Sequence, residues 1–346
     1  MTHDLQGSSV GNRGSQLRDD SVVLEVENLQ VRLDDARGSS YPVSDMSLRL
    51  RQNETLAILG ESGSGKSVTS LALMGLLNSD KFSVHADRMV LGQTDLSTLD
   101  PRGWRSVRGV RMAMVFQDPQ SSLNPVQTIG AQIAEMFILH DGASRRDAKR
   151  RAIELMDRVR IPDAARRYSA YPHQFSGGMR QRVVIAIALA LNPEVLIADE
   201  PTTALDVTVQ ARILELFRDL AKESRMGVVL ITHDVGVAAT VADQVNVMYA
   251  GRLVESGTTM EVLGNPSHPY TDGLLRAVPS TADRDTPLTP IPGSPPLLSD
   301  VPSGCAFHPR CPFARADCST TIPDSRRLGG SHTTACSYSE EIYHVH

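Results

Sequence analysis

TLAILGESGSGKSVTSLALMGLL, Thr55 to Leu77, decides the fold class. TLAIL is a nearly continuous apolar run of strand length, and SVTSLALMGLL from Ser67 places apolar residues at helical spacing. Between them GESGSGKS, Gly60 to Ser67, fits the pattern G-x-x-x-x-G-K-S/T in the context that gives the pattern meaning, after a strand and before a helix. Gly60, Gly63 and Gly65 let backbone N–H groups turn inward around phosphates, with Glu61, Ser62, Ser64 and Val68 completing the loop and the first helical turn. Lys66 reaches the terminal phosphates, and the Ser67 hydroxyl can ligate Mg²⁺. A Gly/Ser turn that matches by chance is the duller reading, and the strand and helix on either side leave it little room.

Working outward, VVLEVENLQVRL from Val22 and MSLRL from Met46 alternate apolar and polar residues, which predicts antiparallel strands at the front of the fold. Residues 121–172 look mostly helical, with Ile129, Ile133, Met136 and Phe137 at helical spacing. The basic run from Arg145 to Arg167 reads as a solvated helix face rather than a nucleic-acid site. VLIAD (195–199) and GVVLIT (227–232) are β-branched and almost wholly apolar, so together with TLAIL they predict a parallel sheet covered on both faces. The texture changes after residue 278, where ten of the twenty prolines fall between 279 and 323.

VLIADE ends in two carboxylates at the carboxyl end of a strand, where open α/β sheets place their ligands. Asp199 is the candidate for the magnesium shell and Glu200 for orienting or deprotonating the attacking water. Acidic residues often merely end strands, so this reading depends on the phosphate loop. FSGGMRQR, residues 175–182, lies between the two and closely resembles the signature motif of ABC ATPases. The resemblance implies that two such domains meet head to tail, Ser176, Gly177, Gly178 and Gln181 of one closing over the ATP held by the other. A helix N-terminus there offers donors to a γ-phosphate. The resemblance extends to Gln117 as the Q-loop residue, sensing magnesium beside Ser67 and Asp199, to TALD (203–206) as the D-loop with Asp206 communicating across the dimer, and to His233 as the switch histidine on the γ-phosphate. It implies an α/β fold: a RecA-like parallel sheet core, an antiparallel β-subdomain and a helical subdomain over about 118–185. Many relatives stack an aromatic on adenine from the early strand; this chain has Leu33 there. Tyr41 either substitutes for it or packs on the front sheet.

FQDPQSSLNPVQTIGAQI (116–133), HPYTDGLL (268–275) and IPGSPP (291–296), with the cysteines beyond, look like the ATPases of oligopeptide and dipeptide importers. That likeness implies two permease subunits, a second ATPase chain and an extracytoplasmic substrate-binding protein as partners, with this chain on the cytoplasmic face of the membrane. Another cargo, such as nickel, a glutathione-like compound or an opine, fits the same machine. A non-transport ABC ATPase acting on DNA or ribosomes is the other alternative, although such proteins typically hold two ATPase domains in one chain or large insertions and this chain has one motif set. The expected division is a leader over 1–21, an ATPase domain over 22–278 and a small Cys-rich module over 279–346.

Cys305, Cys311, Cys318 and Cys336 have irregular spacing unlike the short C-x₂-C pairs of most zinc sites. Four thiolates in a loop-rich segment suit an iron–sulfur cluster of the [4Fe-4S] kind; zinc and free structural thiols are the alternatives. His308 and His332 nearby read as ordinary loop histidines. The bulk numbers agree: 41% hydrophobic and 22% charged residues describe an enzyme-sized globular chain, and a net charge of −5 disfavours nucleic acid as partner. No run approaches the ~18 apolar residues of a spanning helix, and Met1 to Ser21 lacks the apolar core of a signal peptide. Intact Lys66, Asp199, Glu200 and His233 argue against a catalytically dead relative.

Overall fold

Strand β1 (Val22–Asp35) and strand β2 (Gly38–Arg51) pair antiparallel, with Leu24, Val26, Leu29 and Val31 buried on the inward face. The alternation in the sequence is thus the two-residue period of a half-buried sheet. This computed structural model describes residues 19, 21–35, 38–203, 206–278 and 289–343. Nearly all of the leader expected over 1–21, and residues 279–288 of the proline-rich stretch, lie outside the described residues. Strands β4 (Phe82–His85) and β5 (Arg88–Leu91) add antiparallel to β1, and β6 (Thr94–Asp95) adds to β5.

Behind this front sheet, β3 (Thr55–Leu59), β7 (Met112–Val115), β8 (Val195–Asp199), β9 (Gly227–Thr232) and β10 (Gln244–Tyr249) run parallel in the order β10-β3-β9-β8-β7. Every residue of β3, β8 and β9 is buried, as continuous apolar strands covered on both faces require. Strand β11 (Arg252–Thr258) pairs antiparallel with β10 and touches β2 through Arg252 and Asp45, joining the two sheets.

Between β7 and β8 the chain is helical. The helix Ile129–Asp141 is capped by Thr128 and the helix Arg145–Arg158 by Ser144, whose hydroxyl accepts from Asp147 N at 3.2 Å. Ile129, Ile133 and Phe137 sit in one core cluster with Ala148, Ala152 and Met156, whereas Met136 is only partly buried. The basic run faces acids: Arg151 meets Asp141 at 2.8 Å, Arg158 meets Glu223 at 3.3 Å, and Arg160 meets Glu215 at 3.2 Å and Asp219 at 2.8 Å.

The cysteine-bearing segment does not stand apart. Strands β12 (Arg326–Gly329) and β13 (His332–Thr334) form a hairpin whose second strand pairs with β11 through Glu255–Thr334 and Ser256–Thr333. Glu255, 1% exposed, accepts from Ser267 N at 2.6 Å and His268 N at 3.0 Å and bonds His332 Nε2 at 2.7 Å. Phe307 lies edge-on to Tyr249 at 5.3 Å between ring centroids and 5.4 Å from Tyr270. The prolines therefore mark a loop-rich segment that shares the sheet and core of the preceding residues.

Truncating Glu255 leaves several buried donors unpaired. Glu255→Ala is expected to cost about 2–4 kcal/mol in chemical denaturation and to speed hydrogen exchange of the 326–334 hairpin. A loss below about 1 kcal/mol would show that the hairpin is held by other means.

Candidate functional site

Four of the parallel strands end at the same edge, and the residues that follow them form one site. Gly60 follows β3, Glu200 follows β8, His233 follows β9, and Gln117 comes two residues after β7. The register fixes their depth: Leu59 lies beside Thr232, Asp199 beside Ile231, and Val115 beside Ala198.

The phosphate loop runs from Gly60 into the helix Lys66–Leu73. Gly65 has a φ of 103°, and a Cβ there would stand 2.3 Å from the Pro42 carbonyl oxygen, so the loop can press against β2 only with glycine. Next to that contact, Gly251 N donates to the Ser64 carbonyl at 2.9 Å. Lys66 is 5% exposed, and its Nζ donates to the carbonyls of Gly60 at 2.7 Å and Glu61 at 2.8 Å. Burial pulls the ammonium below the usual lysine range, opposed by the carboxylates of Glu200, Asp199 and Glu61. Lys66, Ser67 and Val68 form the first helical turn, whose N–H groups have no acceptor within the helix, while the Val68 side chain packs on the core. Ser62 is exposed; Ser64 is 4% exposed and its hydroxyl has no partner.

Asp199 accepts from Ser67 Oγ at 3.2 Å and Ser70 Oγ at 3.4 Å. Burial raises its carboxyl, and the Ser67 bond opposes this without overcoming it. Glu200 adopts a φ of 45°, a left-handed conformation that a non-glycine residue enters at a cost of about 1–3 kcal/mol and that recurs at functional sites. Its carboxylate takes three partners: Gln117 Nε2 at 2.8 Å, Thr203 Oγ1 at 2.9 Å and His233 Nδ1 at 3.0 Å. Burial works to raise this carboxyl, but the bonds to His233 and Thr203 and the charge of Lys66 outweigh it, so it lies below the usual range. Gln117, expected beside Ser67 and Asp199, is bonded to Glu200 here; only Ser67 and Asp199 of that expected metal set are joined. Thr203, the first residue of TALD, is a partner of Glu200 that its place in that run does not announce.

The signature opens the helix Gly177–Leu189. Ser176 caps the helix Gly177–Leu189, its hydroxyl accepting from Met179 N at 3.4 Å. Gly178 is forced by packing, since a Cβ there would meet Val209 Cγ1 at 2.4 Å. Gln181 is 1% exposed, which leaves its side chain inside the protein rather than at the helix end. Asp206 caps the helix Val207–Ser224 through Val209 N at 2.9 Å; Ala204 and Leu205 of TALD lie outside the described residues. Among the described residues no hydrogen bond links Ser176, Gly177 or Gly178 to the phosphate loop of the same chain.

Comparison with known proteins agrees with this geometry. The ABC transporter family profile matches residues 43–203, and the profile for the oligopeptide/dipeptide transporter C-terminal region matches residues 254–318. A Brucella abortus (strain 2308) protein named for peptide import and ATP binding is 49% identical over 331 residues, covering 92% of this chain and 98% of that one. The chain belongs to the ABC transporter family, in its oligopeptide/dipeptide branch. The dipeptide transport ATP-binding protein DppD of Bacillus subtilis (strain 168) is 46% identical over 314 residues, covering 91% of this chain and 94% of DppD. Among solved structures, the dimeric post-hydrolysis state of the ATP-binding cassette MJ0796 with ADP and Pi superimposes with a TM-score of 0.60 at 26% identity, over 68% of this chain and 98% of that one. The cbiO1 chain of Clostridium perfringens, part of the cbiONQ transporter complex, also gives 0.60, at 25% identity over 70% of this chain and 91% of that one. The chain is therefore an ABC-type ATPase.

In this ABC ATPase Tyr41 is 49% exposed on β2 and precedes Pro42, the residue against Gly65, so it flanks the phosphate loop. Cys305, Cys311, Cys318 and Cys336 line one cavity of about 30 Å³ with Phe307, Phe313 and Tyr338. Burial raises the thiols of Cys305 and Cys336 and pushes Cys311 up to about 11, and in each case other cysteines of the set add to the rise. Among the described residues no group of three or more His, Cys, Asp or Glu side chains has the arrangement that holds a metal ion, so neither the iron–sulfur reading nor the zinc alternative gains support from the geometry. His308 bonds the Cys305 carbonyl at 2.9 Å, and His332 is committed to Glu255.

The contact at Gly65 gives a direct check. Gly65→Ala is expected to abolish nucleotide binding in calorimetry while costing about 1–3 kcal/mol of stability. Unchanged ATP affinity in a folded Gly65→Ala protein would remove Gly60 to Ser67 from the site.

Proposed function

We propose that this ABC ATPase powers the import of di- and oligopeptides through a membrane permease pair, working as a head-to-tail dimer with a second ATPase chain. The observation that carries this reading is the oligopeptide/dipeptide C-terminal region over residues 254–318, joined to an ATP site whose catalytic groups are all present. The names of the Brucella and Bacillus relatives support peptides as cargo. No helix of the described residues is long and apolar enough to cross a membrane, which suits a peripheral subunit on the cytoplasmic face.

In this reading Lys66 and the first helical turn hold the β- and γ-phosphates, and Ser67 and Asp199 hold Mg²⁺, with Gln117 joining them when nucleotide enters. Glu200, ionised and held by Thr203, accepts a proton from the attacking water, and His233 stabilises the γ-phosphate. Ser176, Gly177 and Gly178 close the partner's site, in keeping with the lack of any hydrogen bond from them to their own phosphate loop among the described residues, and Asp206, which caps the helix Val207–Ser224, communicates across the dimer. Tyr41 stacks on adenine. ATP binding then biases the dimer toward a closed state and hydrolysis releases it.

The cluster reading rests on the number and setting of the thiols: four cysteines of a loop-rich segment line one cavity, and four thiolates are the usual complement of a [4Fe-4S] cluster. Cys305, Cys311, Cys318 and Cys336 would hold it, and it would supply a redox-active crosslink within the loop-rich segment.

Anaerobic purification from membranes is expected to recover this chain with two permeases and a second ATPase, carrying iron and a broad brown absorbance that any single Cys→Ser replacement bleaches. A chain recovered without permeases would contradict the import reading; zinc without iron, or unchanged iron in the cysteine variants, would contradict the cluster.

A further inference from the structure

One ion pair crosses from the cysteine segment to the phosphate loop. Arg310, 7% exposed and next to Cys311, sets its guanidinium against Glu61, the second residue of the phosphate loop. Its Nη1 donates to Glu61 Oε2 at 2.7 Å and its Nη2 to Oε1 at 3.0 Å, the fork-to-fork geometry in which arginine binds a carboxylate most firmly. Nε donates to the Pro292 carbonyl at 2.9 Å, and Nη1 also reaches Tyr249 Oη at 3.4 Å, so the guanidinium is fixed from three sides. The Glu61 backbone is held as well: its N–H donates to Tyr270 Oη at 2.8 Å. Tyr270 and Tyr249 pack on Phe307, which lies between Cys305 and Arg310.

The chemistry of the loop explains why such a clamp matters. A loop that cradles a triphosphate carries its own carboxylate at Glu61, and that charge also acts on Lys66, the cation that must meet the phosphates. Left unpaired, it would repel the triphosphate and compete for Lys66. We propose that Arg310 is a positioning residue of the nucleotide site: by neutralising and anchoring Glu61 it sets the affinity of the phosphate loop for ATP, which makes the cysteine segment part of that site. This rests on ATP binding at Gly60 to Ser67 and not on the identity of any metal held by the cysteines.

The test is equilibrium binding of a fluorescent ATP analogue with Mg²⁺ to the full chain, with iron content recorded for each variant. Arg310→Gln is expected to raise the Kd about tenfold, the scale of coupling between linked sites. Arg310→Lys, which keeps the charge but loses the fork, is expected to fall between Arg310→Gln and the unaltered chain. The charge account makes two further demands that a merely structural role would not meet. Adding Glu61→Gln to Arg310→Gln removes the exposed carboxylate and recovers most of the affinity, and raising salt to about 0.5 M shrinks the loss in the single variant by screening. Arg315→Gln, which breaks an exposed 2.6 Å ion pair with Glu341 in the same segment, leaves the Kd unchanged. A Kd for Arg310→Gln within twofold of the unaltered chain, or a double variant no tighter than the single one, would overturn the proposal. If Arg310→Gln fails to fold, Arg310→Lys decides by the same criteria, with its loss required to shrink in salt and on adding Glu61→Gln.

Discussion

Burying the ammonium of Lys66 at the edge of a parallel sheet demands compensation that its own helix cannot provide. The carbonyls of Gly60 and Glu61 supply part of it from the loop, and Asp199 and Glu200 supply the rest from the end of β8. Those carboxylates would repel each other and an incoming triphosphate, so they are divided by environment. Asp199 is buried beside hydroxyls from the Lys66–Leu73 helix, while Glu200 is turned away by a left-handed backbone onto Gln117, Thr203 and His233. Parallel register makes this division achievable, because it sets the ends of neighbouring strands level to within a residue or so. The remainder of the structure serves to keep those ends in place.

The strands that carry the site were legible because they are buried on both faces, and continuous apolar runs admit few other interpretations. The phosphate loop and signature were legible because glycine is required there by contacts, Gly65 against Pro42 and Gly178 against Val209, which leave a fixed residue pattern. What the sequence hid is whatever depends on two distant segments meeting. Glu61 and Arg310 are separated by 249 residues, and neither has a local pattern that announces the other. Gln117 meets Glu200 rather than Asp199, because Asp199 is buried against Ser67 and Ser70 while the left-handed backbone at Glu200 turns its carboxylate toward the end of the neighbouring β7.

The proline-rich texture after residue 278 marks a loop-rich segment but carries no sign of where that segment docks. Prolines forbid regular ladders but not docking: Phe307 enters the aromatic cluster of Tyr249 and Tyr270, and β13 joins the edge of β11, without a helix longer than one or two turns among the described residues of the segment. A segment of this kind has little core of its own, so its order comes from contacts with the ATPase body. Arg310 directly precedes Cys311 in this segment, so one ion pair links the neighbourhood of that thiol to the phosphate loop at Glu61.

The central claim is that Glu200 is the group that acts on the attacking water while Lys66 and its loop only hold the nucleotide. The most direct measurement is the rate of phosphate release by the membrane-extracted complex carrying Glu200→Gln, with MgATP binding measured on the same preparation. The account predicts binding close to that of the unaltered complex, with release from this chain's site slowed at least a hundredfold, about the scale of losing a general base. Near-normal release with intact binding would contradict it and return the catalytic role to another group of the site.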